Sequence, residues 1–118
     1  MHVLKSTEVE TRNEFGITIK RLSENLGSAG KNLPIGLMRC VVPPQGSSAL
    51  DSHIDREIFF VASGQGHVRS GENKVPVEQG DLVLMESYEP HTVENASSEA
   101  DLVFISIYWI EPASGSPN

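Results

Sequence analysis

Residues 51–66 read Asp51-Ser-His-Ile-Asp-Arg-Glu-Ile-Phe-Phe-Val-Ala-Ser-Gly-Gln-Gly66. The second half, EIFFVA (57–62), is short, β-branched and aromatic, and it stops at a glycine-rich SGQG turn. That combination reads as a strand closing in a hairpin, with residues 67–70 returning alongside. The first half carries Asp51, His53 and Glu57. A helix would also set His53 and Glu57 on one face, but the IFFVASGQG that follows favours a strand. Asp51 and His53 then share a face, roughly 6–7 Å apart along it. Glu57 has the same parity, yet on an unbroken strand it would lie roughly 13 Å from His53. A bend through residues 54–56 is required to bring the two together.

Working outward, four more runs carry the strand signal: 16–22 (GITIKRL), 36–42 (GLMRCVV), 81–85 (DLVLM) and 101–110 (DLVFISIYWI). Turn signals separate them at 27–30 (GSAG), 43–46 (PPQG), 71–73 (GEN) and 79–81 (QGD). Helical periodicity is confined to about two turns near residues 21–26. Many short strands joined by glycine-rich turns predict an all-β sandwich or barrel. With 118 residues the chain fits one domain, over residues 1–110. The tail, Glu111-Pro-Ala-Ser-Gly-Ser-Pro-Asn118, is polar and linker-like.

Nine basic and sixteen acidic residues give a net charge of -7, which disfavours a nucleic-acid partner. Cys40 is the sole cysteine, so an internal disulfide and a thiolate cluster are excluded. Within its apolar run it reads as a small core residue. No stretch is apolar and long enough to span a membrane, and the opening MHVLKSTEVETR lacks a secretion signal, so a cytoplasmic protein is expected.

His91 follows Glu57 across a hairpin and a Gly-Asp turn, in Glu89-Pro-His-Thr-Val-Glu-Asn95, early in a further strand. Two imidazoles and a carboxylate with open positions suit non-haem Fe(II). They suit a catalytic zinc equally.

The order Gly46, His53, Glu57, Gly64, then Gly80, His91, Asn95 resembles the two signature motifs of the cupin superfamily. In that family the first motif runs Gly, a His-x-His pair, Glu, and Gly seven positions later. Glu57 and Gly64 keep that interval, and His53 stands where the second His belongs. Asp51 replaces the first His, and Glu86-Ser-Tyr88 replaces the usual Pro-x-Gly of the second motif. The resemblance covers roughly residues 37–109. It implies a cupin (double-stranded β-helix, jelly-roll) barrel with a divalent metal inside one mouth, held by His53, Glu57 and His91. Asp51 is either a fourth ligand, a partner of His53, or a general base.

Four further residues have two readings. His67, after the Gly66 turn, is a surface residue before it is a pocket residue. Arg39, in an apolar strand, either points inside toward a carboxylate or lies at an edge. Glu86 and Tyr88 flank the route to His91, as rim contacts or as solvated loop. In the last strand Phe104, Ser106 and Tyr108 share one face, and Val103, Ile105, Ile107 and Trp109 the other. Both faces are largely apolar, which predicts a homodimer.

A closer resemblance lies in residues 33–66 (LPIGLMRCVVPPQGSSALDSHIDREIFFVASGQG) together with the EPASGSPN tail. This is similar to the zinc-binding cupin domain of hydrazine synthetases, which works with a methionyl-tRNA-synthetase-like domain. It implies Zn2+ in preference to Fe2+, an amino-acid-derived small-molecule substrate, and formation of an N–N bond from the amino acid ester of an N-hydroxylated amine. In that chemistry Asp51 or Glu86 would take protons, Arg39 would hold a carboxylate, and Tyr88 would contact substrate at the rim. The alternatives are an Fe(II) dioxygenase and a non-catalytic small-molecule-binding cupin.

Overall fold

Strand β4 (Arg56–Ser63) ends where Gly64 adopts φ 89°, a conformation open to glycine but costly for a residue with a Cβ. A Cβ there would also meet the Asp101 carbonyl oxygen at 2.5 Å, so this turn is closed against any side chain. The chain passes at Gly64 into β5 (Gln65–Ser70), which lies in a different sheet, so the hairpin expected between these two strands is not formed and Gly64 marks the crossing from one sheet to the other.

The computed structural model describes residues 1–111. The remaining strands are β1 (Arg12–Glu14), β2 (Ile17–Arg21), β3 (Gly36–Val42), β6 (Asn73–Glu78), β7 (Leu82–Met85), β8 (Thr92–Asn95) and β9 (Leu102–Trp109). They form a six-stranded sheet in the order β1-β2-β3-β9-β4-β7 and a three-stranded sheet in the order β6-β5-β8. The architecture is an all-β jelly-roll barrel. Among the described residues no helix is long and apolar enough to cross a membrane. The helical signal near residues 21–26 and the GSAG turn resolve into two short 3-10 turns, Ser23–Asn25 and Gly27–Gly30. The linker-like tail, apart from Glu111, lies outside the described residues.

Strand alternation sorts side chains to two surfaces. Inward on β3, β4 and β9 are Met38, Cys40 and Val42, Phe59 and Val61, and Leu102 and Phe104, all buried in one core with Ile19, Val68 and Val93. Burial pushes the Cys40 thiol up to about 12, consistent with a core residue and an unreactive one. Outward, the registers align Leu37, Ile107, Ile58 and Leu84 in one cross-strand row, and Arg39, Ile105, Phe60 and Leu82 in the next.

Two strands lay outside the sequence reading. β1 is only three residues long, and β6 carries Pro76. β6 is an edge strand, where a residue without an N–H is tolerated.

Candidate metal centre

The site begins with a pair of backbone hydrogen bonds. Asp51 N donates to His91 O at 3.1 Å and His91 N donates to Asp51 O at 2.9 Å, clamping the two residues side by side as an isolated bridge. His53 is not in a strand. The chain bends at Ile54 and Asp55 before β4 begins, which is the break that the spacing of His53 and Glu57 required. A second clamp holds the bend: Tyr88 N donates to His53 O at 2.6 Å, and Ser52 Oγ donates to Tyr88 O at 2.8 Å.

Glu57 Oε1 thereby lies 3.1 Å from His53 Nε2 and 3.4 Å from His91 Nε2, and Asp51 Oδ2 lies 3.8 Å from His53 Nε2. One donor atom each from Asp51, His53 and His91 falls within 4.8 Å of the others. Donors around a tetrahedral ion at about 2.0–2.1 Å are separated by about 3.3 Å, so these positions suit a shared ion.

Which nitrogens face the centre is fixed by the backbone. His53 Nδ1 is 3.1 Å from the Asp55 carbonyl and His91 Nδ1 is 2.8 Å from the Glu89 carbonyl. A carbonyl only accepts, so each Nδ1 carries a proton and each Nε2 faces inward, free to bind an ion or, for His91 without one, to donate a second proton's hydrogen bond to Glu57. Glu57 is 5% exposed, and the Ser106 hydroxyl donates to its Oε2, leaving Oε1 toward the imidazoles. Burial by itself would raise the Glu57 carboxyl, but hydrogen bonds from His91 and Ser106 outweigh it and hold the group below its ordinary range. Burial likewise disfavours a charged His91, yet the Glu57 hydrogen bond and the Glu89 carbonyl raise its pKa above the usual histidine value. Without an ion, Glu57 and His91 neutralise each other. With one, the imidazole gives up that proton.

The donor atoms open onto a cavity of about 280 Å³. Apolar side chains among its lining residues are Phe15, Ile17, Met38, Phe59, Val93 and Phe104. Arg21 is the cation among the lining residues, and Glu14 already holds it at 2.8 Å.

His53, Glu57, His91 and Asp51 are therefore brought together. The other residues expected to act on a substrate are not. Arg39 lies on the outer face, across from Lys20 and Ile105, because its neighbours Met38 and Cys40 take the inward parity. Glu86 is exposed outside the barrel, its Oε2 3.3 Å from Arg56 Nη2. The Tyr88 side chain is 62% exposed, and at φ 62° the residue contributes its backbone to the loop clamp. Parity alone does not say which face is inside, which accounts for Arg39, and the exposed loop after β7 accounts for Glu86 and Tyr88. His67 sits on the solvent side of β5, opposite Pro76 and Glu94.

The sequence reading missed Ser106, Asp55 and Phe15. Ser106 was the only one with a signal: a lone hydroxyl among apolar residues on an inward face needs a polar partner.

The cupin-domain family model matches residues 38–108. The chain belongs to the cupin family. An oxalate-binding protein of Thermotoga maritima is 31% identical over 70 residues, 58% of this cupin and 57% of that protein. The chain thus spans just over half the length of this relative. Among solved structures, a cupin barrel-domain protein of Salinispora arenicola superposes with TM-score 0.80 at 24% identity, covering 92% of this chain and 88% of that one. A Thermotoga maritima protein described as a predicted oxalate decarboxylase superposes with TM-score 0.75 at 26% identity, covering 92% and 99%.

Proposed function

We propose that this cupin is an enzyme that uses a divalent ion, zinc in preference to iron, held by His53, Glu57 and His91, to transform a small amino-acid-derived molecule. The convergence of two Nε2 atoms on one buried carboxylate oxygen carries this reading. When bound, the ion would polarise an ester or carboxylate oxygen of the substrate as a Lewis acid. Asp51 supports two roles. Its Oδ1 accepts the Ser52 N–H at 2.9 Å, and Oδ2 faces His53, ready to join the ion or to accept a proton at the cavity edge.

The specific reaction proposed is N–N bond formation from the amino acid ester of an N-hydroxylated amine. The amino nitrogen forms the new bond to the hydroxylamine nitrogen, the N–O bond breaks, its electron pair leaves on the carboxylate, and Asp51 takes the amine proton. No external oxidant is needed, which is why a redox-inert zinc suits it. Support for this assignment comes from residues 33–66. It carries with it a methionyl-tRNA-synthetase-like partner to make the ester, and a cytoplasmic setting. The outer rows of apolar residues support a homodimer through that face.

A second reading follows from the Thermotoga relatives: a small dicarboxylate as ligand. The cavity supports it less well, because Arg21 is already paired with Glu14.

The test is metal content together with turnover. Protein prepared without chelator should hold zinc, and mixing it with the synthetase-like partner, glycine, ATP and N6-hydroxylysine should give a hydrazine by mass spectrometry. Stoichiometric iron with substrate-dependent oxygen uptake would overturn the proposal in favour of a dioxygenase. A metal-free protein whose His53→Ala variant binds ligand normally would make it a sensor.

A further inference from the structure

Three polar side chains line the metal cavity without a part in holding the ion: Arg21, Asp55 and Tyr108. Arg21 follows Ile17 and Ile19 on the inward parity of β2 and pairs in register with Met38, which pairs with Ser106. In the next row Gly36 pairs with Tyr108, and Tyr108 with Glu57. A Cβ at residue 36 would overlap the Tyr108 Cε2 and Cζ atoms. The glycine thus lets the ring lie across β3, on the side of β2 and away from Glu57. The hydroxyl there meets charges of both signs. Burial raises its pKa, the Arg21 guanidinium opposes the rise, and the Glu24 and Asp55 carboxylates add to it. Asp55 Oδ1 lies 3.8 Å from His53 Nδ1, the ring nitrogen that does not face the metal position.

These charges favour a ligand that carries both signs. Arg21 already meets Glu14 at 2.8 Å and Glu24 at 4.0 Å, so an anion alone would bring a third negative charge to one guanidinium. A zwitterion brings its own cation. Room for its carboxylate exists at Nη1, which meets the Met38 sulfur at 3.5 Å, a weak acceptor. We propose that Arg21 and Asp55 are specificity residues for a free amino-acid end of the substrate, Arg21 taking its α-carboxylate and Asp55 its α-ammonium, beside the Tyr108 hydroxyl. This rests on the amino-acid-derived substrate proposed above and adds that the N-hydroxylated amine is itself an α-amino acid.

Zinc-loaded protein titrated calorimetrically with N6-hydroxylysine, N-hydroxycadaverine and Nα-acetyl-N6-hydroxylysine tests the inference, because the second lacks the carboxylate and the third the ammonium. N6-hydroxylysine should bind at least about tenfold more tightly than either, the scale of one hydrogen bond to a charged group. Arg21→Met should erase the difference from N-hydroxycadaverine, and Asp55→Asn the difference from the acetylated form. Zinc should stay at one per chain in both, since Asp55→Asn keeps the main-chain carbonyl that holds His53. Equal binding of all three by the parent, or of none, overturns the inference. Discrimination that survives both substitutions overturns the residue assignment. Failure to load zinc, or absence of a hydrazine product, in a protein that still prefers N6-hydroxylysine overturns the metal or reaction reading and supports the recognition of the zwitterion.

Discussion

The two faces of β4 carry the same kind of chemistry to opposite ends. Inward, Glu57 is buried, and each oxygen has an assigned partner: Ser106 on one side, two imidazoles on the other. Outward, Arg56 meets Glu86, Glu111 and the Trp109 ring in solvent, where a charge needs no such preparation. The inner face accepts a charge only because Ser106, His53 and His91 supply partners from three separate segments. The outer face leaves Ile58 and Phe60 in open apolar rows. The difference teaches where substitution is expensive: a charge is structural and chemical inside, and incidental outside.

The largest test of that contrast is removal of an inward imidazole. His91→Ala should weaken zinc binding by more than about a hundredfold, beyond the 10–100-fold typical of residues that only orient ligands. Calorimetric titration of metal-stripped protein measures it, with circular dichroism confirming the fold. Ser106→Ala falls in that lower range of about 10–100-fold, because Glu57 loses the hydroxyl that aims it. Little change would show that burial alone fixes the carboxylate.

Acidity sharpens the same comparison. The His91 pKa is raised by its hydrogen bond to Glu57, so an incoming ion must displace its proton once the pH falls below that raised value. Zinc affinity should fall by about tenfold per pH unit as pH drops through that raised value, for one proton displaced. The metal-free protein responds in the opposite sense. The His91–Glu57 pair contributes its stability in full below the ordinary histidine value, and loses it as pH rises through the raised one. A zinc affinity that stays constant as the pH is lowered to well below the ordinary histidine value of about 6.5 would contradict the assignment.

The smallest expected effect is on the outside. Phe60→Ser with Leu84→Ser should leave zinc affinity within about twofold, since surface changes away from special features are mild. If the outer rows form the dimer face, light scattering should report a single chain for this variant and two for the parent. A parent that is monomeric removes the dimer.

Much of this was legible in the sequence because of spacing. The run 36–42 was read with the observed bounds of β3, and the seven-residue interval from Glu57 to Gly64 located the turn that ends β4, though not that β5 then pairs in the other sheet. The bend before Glu57 was legible too, since an unbroken strand could not bring it to His53. What escaped is equally physical. Period-two alternation separates two faces but does not label the inner one, so Arg39 was left between the interior and an edge, whereas Met38 and Cys40 hold the inward parity. Glu86 and Tyr88 sit in a loop whose path depends on the Tyr88–His53 clamp, a contact across 35 positions that no local pattern encodes. Ser106 hid in a strand that reads as uniformly apolar.

The most direct measurement of the central claim is zinc-edge X-ray absorption on the zinc-loaded protein. Two imidazole nitrogens with one or two carboxylate oxygens, at about 2.0–2.1 Å, is the result expected. A first shell with one imidazole or none, or one unchanged in the His53→Ala and Glu57→Gln variants, would contradict it.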